Sequence, residues 1–146
     1  VTGALDAMLC FSLYTATHAT AQAHHAVLRP WKLTYPQFIV LTLLNADDDR
    51  SVRDIGDEMH LDSGTLSPLL KRLEARDLVE RRRDADDDRV VRVRLTPAGR
   101  STIGDAARAV AELTPAYRVD AASLPDIVQM LHGITAGMGE LVETRR

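Results

Sequence analysis

The chain has 146 residues, 45% of them hydrophobic and 27% charged, with a formal net charge of −3. That length supports one core and one domain, and the slightly acidic balance argues against a protein that coats nucleic acid indiscriminately. No apolar run is long enough to span a bilayer, no secretory leader is apparent, and the single cysteine, Cys10, has no internal disulfide partner, so a reducing, cytoplasmic setting without membrane contact is expected.

In chain order, residues 4–29 predict one long helix with the apolar ladder Leu5, Leu9, Leu13, Ala16, Ala19, Ala23 and Val27, ended by Pro30. The small residues in the second half of the ladder allow another helix to approach closely. Thr34 and Gln37 form a capping box, with Pro36 in the first turn, for a helix that runs to about Asn45 and buries Phe38, Leu41 and Leu44. Asp47, Asp48 and Asp49 read as an acidic loop. Ser51 and Asp54 cap the next helix, whose inner residues are Ile55 and Met59.

From Ser63 a further helix places Leu66, Leu69, Leu70 and Leu73 on one face. The opposite face carries Gly64, Ser67, Pro68, Lys71 and Ala75, with Arg72 on its flank. It is small, hydroxylated and basic, without an acid at its centre, as a helix that enters the major groove requires. Pro68 removes a backbone hydrogen bond, which leaves either a late helix start or a distorted first turn. A two-stranded hairpin follows, with Arg81, Arg82 and Arg83 on one arm and Arg89, Arg92 and Arg94 on the other. Residues 71–95 hold nine Lys/Arg against seven Asp/Glu, net +2, which leaves the rest of the chain at −5. Binding to double-stranded DNA is therefore expected on one side only. The Ser63, Gly64, Thr65, Ser67, Pro68, Lys71 and Arg72 surface would meet the groove. Arg81, Arg82 and Arg83 would meet phosphates, and Arg89 at the hairpin tip would point to the minor groove.

Thr96-Pro97 opens a helix carrying Ile103, Ala107, Val110 and Leu113, broken at Thr114-Pro115. A last helix opens near Ser123, with Asp126 completing its cap, and carries Ile127, Met130, Leu131, Ile134, Met138 and Leu141. Gly133 and Gly137 leave a smooth groove on it. The expected fold is mainly α with a small β-wing. A winged helix-turn-helix occupies 34–99, and the helices of 1–30 and 100–146 make a two-fold homodimer interface; the alternative is that these helices only pad a monomer core.

The runs LDSGTLSPLLKRLE (Leu61–Glu74), LTYPQF (Leu33–Phe38), DDDRVVRVRLTPAG (Asp86–Gly99) and LCFSLY (Leu9–Tyr14) closely resemble the MarR family of bacterial repressors, and within it the OhrR-like sensors of organic hydroperoxides. The resemblance implies a homodimer that represses transcription at a pseudo-palindromic operator until Cys10 is oxidised. Tyr14 and Tyr35 match tyrosines that hold the cysteine thiolate, partly across the dimer, and His24 stands where the family has a third tyrosine. With one cysteine, a low-molecular-weight thiol would cap the sulfenic acid. Two alternatives remain: a repressor that answers a small aromatic ligand, with Cys10 incidental, and a thiol peroxidase, although the chain is not expected to be an enzyme. His18, His24 and His25 supply too few convergent ligands for zinc, and Asp84, Asp86, Asp87 and Asp88 lack the glycine and distal glutamate of a calcium loop. No metal or cofactor is expected.

Overall fold

Helix α2 (Tyr35–Ala46) starts where its capping chemistry dictates. The Gln37 N–H donates to the Thr34 hydroxyl at 3.4 Å, and the Thr34 N–H donates back to Gln37 Oε1 at 3.0 Å. Its inner face buries Phe38, Val40, Leu41 and Leu44, and it packs on α1 (Leu9–Leu28), α4 (Ser63–Ala75) and α5 (Pro97–Ala111). Between α2 and α4 lie strand β1 (Arg50–Ser51) and helix α3 (Val52–Met59); β2 (Val79–Arg83) and β3 (Val91–Leu95) lead from α4 into α5, and α6 (Leu124–Glu143) ends the order. Short 3₁₀ turns at Arg29–Trp31 and Thr114–Tyr117 follow α1 and α5. The chain, a computed structural model describing residues 3, 5 and 7–145, divides into two compact units, Val1–Glu112 and Leu113–Arg146.

The first unit holds the core. All four leucines predicted for the inner face of α4 are buried, Leu66, Leu70 and Leu73 to 1% exposure or less. Full burial of one such side chain stabilises by about 1.5–3 kcal/mol, so this face fixes the opposite one as the outer surface. Asp62 caps α4, accepting from the Thr65 N–H at 2.9 Å. The helix therefore neither starts late nor opens on a distorted turn: it runs from Ser63, and Pro68 lies inside it. Pro68 sits where its ring faces outward and the lost hydrogen bond falls on the exposed side, as the exposure of Gly64 and Pro68 indicates.

The wing has three strands where the sequence predicts two. The order is β1-β3-β2, all antiparallel, with Arg50 opposite Val93 and Ser51 opposite Arg92 on one side of β3. On the other side Val79 faces Leu95, Arg81 faces Val93 and Arg82 faces Arg92. A two-residue strand carries no alternation of its own, and only the edge of β3 makes it one. Two glycines let elements meet closely. A Cβ on Gly99 would lie 1.9 Å from the Leu78 carbonyl oxygen, and one on Gly56 would lie 2.9 Å from that of Leu61.

Three helices differ from expectation. Helix α1 starts at Leu9, with Leu5 in a turn; Ala4, the expected first residue, lies outside the described residues. Its buried residues, His24 and Leu28, lie in its C-terminal turns, whereas Leu9, Ala16 and Ala19 of the predicted ladder are exposed. In α5 Ile103 is buried as expected, together with Gly99 and Ala106, whereas Ala107 is exposed, so the second buried alanine position falls one residue earlier than expected. In the second unit the Ser123 side chain donates to Asp120 at 2.8 Å and does not cap α6.

Candidate functional site

The outer surface of α4 exposes Ser63, Gly64, Thr65, Ser67, Pro68, Lys71 and Arg72 together. Asp62 stands at its leading end, its carboxyl held below the usual range by the Thr65 N–H and then the Thr65 hydroxyl. Neither Lys71 nor Arg72 is in an ion pair among the described residues. A groove of about 650 Å³ runs between the N-terminal ends of α3 and α4 and the hairpin, lined by Ser51, Arg53, Ser63, Ser67, Arg81 and Arg89 among others. Sequence reasoning missed Arg53, whose side chain is 89% exposed in the first turn of α3; its place two residues after the Ser51 cap is the signal that marks it.

The hairpin arginines fall into different environments. Arg81 bonds Glu74 of α4, Nε to Oε2 at 2.9 Å and Nη2 to Oε2 at 2.7 Å, and this keeps the Glu74 carboxyl below its usual range. Arg82 and Arg92 both reach Asp49 Oδ2, at 3.3 and 3.2 Å, and Arg94 pairs with Glu80. Arg83 crosses the hairpin to the Asp88 carbonyl at 2.6 Å. Arg89 is 95% exposed, 3.6 Å from Asp87. The acidic stretch is thus not only a loop: Asp48 accepts from the Leu95 N–H at 2.9 Å and pairs with Arg100. Arg76, at the end of α4, donates to the carbonyls of Trp31 and Lys32 at 2.6 and 2.9 Å, tying α4 to the turn after α1.

Within one chain the four residues matched to a redox site form two separate pairs. Cys10 is exposed near the start of α1, and Tyr14, also exposed, follows one turn later. His24 is buried, its ring 4.3 Å from that of Tyr35, and its Nδ1–H donates to the Thr20 carbonyl at 2.8 Å. Fourteen residues of helix separate Cys10 from His24, roughly 20 Å along the axis, so His24 does not meet the thiol of its own chain. Among the described residues no three His, Cys, Asp or Glu side chains converge as metal ligands, and no helix is long and apolar enough to cross a membrane.

Residues 22–106 match the family described as transcriptional regulator SarA/Rot, more than half of the chain and all of the helix-turn-helix and wing. The chain belongs to the MarR/SarA winged-helix class of transcriptional regulators. Over 100 residues it is 49% identical to the HTH-type transcriptional regulator TtmR of Methylorubrum extorquens, covering 68% of this chain and 51% of that protein. Over 95 residues it is 38% identical to the organic hydroperoxide resistance transcriptional regulator of Bacillus subtilis, covering 65% of each. The chain thus spans between half and two-thirds of the length of these relatives. Its fold is similar to overoxidised AbfR bound to DNA, with a TM-score of 0.78 at 28% identity, covering 92% of this chain and 94% of that one.

Proposed function

We propose that this regulator is a homodimeric repressor that binds a pseudo-palindromic operator and releases it when an organic hydroperoxide oxidises Cys10. The observation that carries the DNA-binding half is the outer face of α4, where Ser63, Gly64, Thr65, Ser67, Pro68, Lys71 and Arg72 are all exposed beside the wing. Small and hydroxylated side chains fit the major groove, Lys71 and Arg72 attract phosphate, and Arg83 and Arg89 extend the contact to the phosphates that flank the adjacent groove. A second copy places two such faces about one helical turn apart.

The sensing half is supported by an exposed Cys10 one turn from Tyr14, and by similarity to a regulator whose name includes organic hydroperoxide resistance. The Cys10 thiolate attacks the terminal peroxide oxygen, the O–O bond breaks, and the alkoxide leaves as the alcohol after taking a proton. Sulfur is oxidised by two electrons to the sulfenic acid. A low-molecular-weight thiol then condenses with it, giving a mixed disulfide and water. Tyr14 hydrogen bonds the thiolate from its own helix. Tyr35 packs on His24, roughly 20 Å along α1 from Cys10, so it joins the site from the second copy, with the buried His24 backing its ring.

Operator affinity measured before and after cumene hydroperoxide treatment, with mass spectrometry of the Cys10 peptide, tests this reading. Wild type loses affinity as Cys10 gains oxygen, whereas Cys10→Ser binds normally and keeps its affinity. Peroxide-driven release from Cys10→Ser places the switch elsewhere. A second reading, response to a small aromatic ligand, is favoured by a mostly apolar depression of about 380 Å³ lined by Tyr35, Pro36, Ile39, Leu43, Met59 and Leu61, with Glu58 at its edge. Ligand-driven release of DNA from Cys10→Ser would select it.

A further inference from the structure

A cation meets phosphate only if it is not already neutralised, and the arginines of the wing are not equal in this respect. In strand register Arg81 lies opposite Val93, on the sheet face that also carries the buried Val79 and Leu95. Its guanidinium is thereby directed to α4, where Glu74 takes both Nε and Nη2 on one oxygen and the backbone N–H of Arg81 on the other, at 3.3 Å. To reach DNA, Arg81 would have to abandon this carboxylate and leave it facing a polyanion.

Arg82 and Arg92 pose a different problem. They are directly opposite each other on adjacent strands, and like charges in that position repel. Asp49 lies between them, with one carboxylate oxygen 3.3 Å from Arg82 and 3.2 Å from Arg92. Arg92 also donates to the Asp49 carbonyl at 2.5 Å and pairs with Asp84 at 3.4 Å. Asp49 holds a left-handed backbone, φ 58°, to stand there. These arginines are thus matched by carboxylates from three other segments: the end of α4, the α2–α3 connection and the hairpin. Arg83, whose partner is a carbonyl, and Arg89, 95% exposed beside Asp87, keep their charge available to a partner.

We infer that Arg81 with Glu74, and Arg82 and Arg92 with Asp49, are positioning residues that fix the wing on α4 and on the α2–β1 connection respectively, and that Arg83 and Arg89 are the wing's phosphate contacts. The inference rests on the DNA-binding reading and deepens it. Glu74 and Asp49 then favour DNA binding although they are acidic, and Arg81 favours it without touching DNA.

Fluorescence anisotropy of the full chain, over a salt series, on a duplex it selects from a random-sequence pool, separates these roles. Neutralising a phosphate contact lowers the slope of log affinity against log salt by about one, whereas disturbing a brace lowers affinity at unchanged slope. Arg83→Gln and Arg89→Gln are expected to show the first behaviour. Arg81→Gln is expected to lose about tenfold in affinity with the slope of the wild type. Glu74→Gln is expected to weaken binding by a similar factor, whereas loss of an acid beside DNA would by charge alone tighten it. The reversed pair, Glu74→Arg with Arg81→Glu, is expected to recover affinity to within about threefold of wild type. If Arg81→Gln does not fold, the Glu74→Gln slope and the amide exchange rate of Arg81 in that variant carry the test, with faster exchange expected. A slope reduced by about one in Arg81→Gln, or tighter binding by Glu74→Gln, overturns the inference. Failure of the wild-type chain to bind any duplex at low salt overturns the DNA-binding reading itself, and this assignment with it.

Discussion

Helices α4 and α6 are both amphipathic, yet one satisfies its apolar face within the chain and the other does not. In α4, Leu66, Leu69, Leu70 and Leu73 are all buried. In α6, Leu124, Met130, Met138 and Val142 are each at least half exposed, and only Ile127 and Ile134 are partly covered. Exposed apolar area on this scale marks an interaction surface, and the proposal of a homodimer assigns it to a second copy. On the proposed reading, α4 presents its polar side to DNA and α6 its apolar side to the second copy.

Four measurements break or sharpen that contrast, from the largest effect to the smallest. Leu70→Ala removes a side chain of 0% exposure and should cost about 2–5 kcal/mol in denaturant unfolding. That cost should be unaffected by protein concentration, since α4 packs inside its own chain. Met138→Asp acts on the other helix: it should halve the hydrodynamic mass, remove any concentration dependence of Tm, and weaken operator binding by about 100-fold through loss of the second half-site. A dimer that persists in Met138→Asp would remove α6 from the interface. Gly99→Ala drives a methyl group into the Leu78 carbonyl and should destabilise by about 1–3 kcal/mol, with the wing disturbed before the rest.

The smallest effect is acid sensitivity. Glu74 is held below its usual range chiefly by its hydrogen bond from Arg81, and Asp54 by that from Ser51. A carboxyl depressed on folding contributes stability that is fully present above its unfolded value and is lost as pH falls through the folded one. Tm should therefore be flat above about pH 5 and decline below about pH 4, and Glu74→Gln should soften that decline. An identical acid limb in Glu74→Gln would show that Glu74 contributes nothing to it.

Much of the reading unit was legible in advance because its signals are local. A 3.6-residue spacing placed the four leucines, and the Thr34–Gln37 box fixed the start of α2. The outer face of α4 followed by subtraction. Local signals failed where a neighbour decides. His24 reads as polar, and yet it is buried, because Tyr35 and the Thr20 carbonyl give it an apolar face and an acceptor.

The sequence by itself determined the periodic and capped elements, the placement of small, hydroxylated and basic residues on one helix face, and the family likeness those runs carry. Such features depend on contacts within a few residues, which a one-dimensional pattern contains. Only the tertiary structure decided that Arg50–Ser51 is a strand, that Asp49 separates Arg82 from Arg92, and that Arg81 turns to Glu74. Those outcomes depend on strand register and on charges up to 43 residues apart in the chain, as in the Arg92–Asp49 contact. Six arginines that are equivalent as letters become distinct once each is given a neighbour, because the energy of a charge is set by what lies within a few ångströms of it.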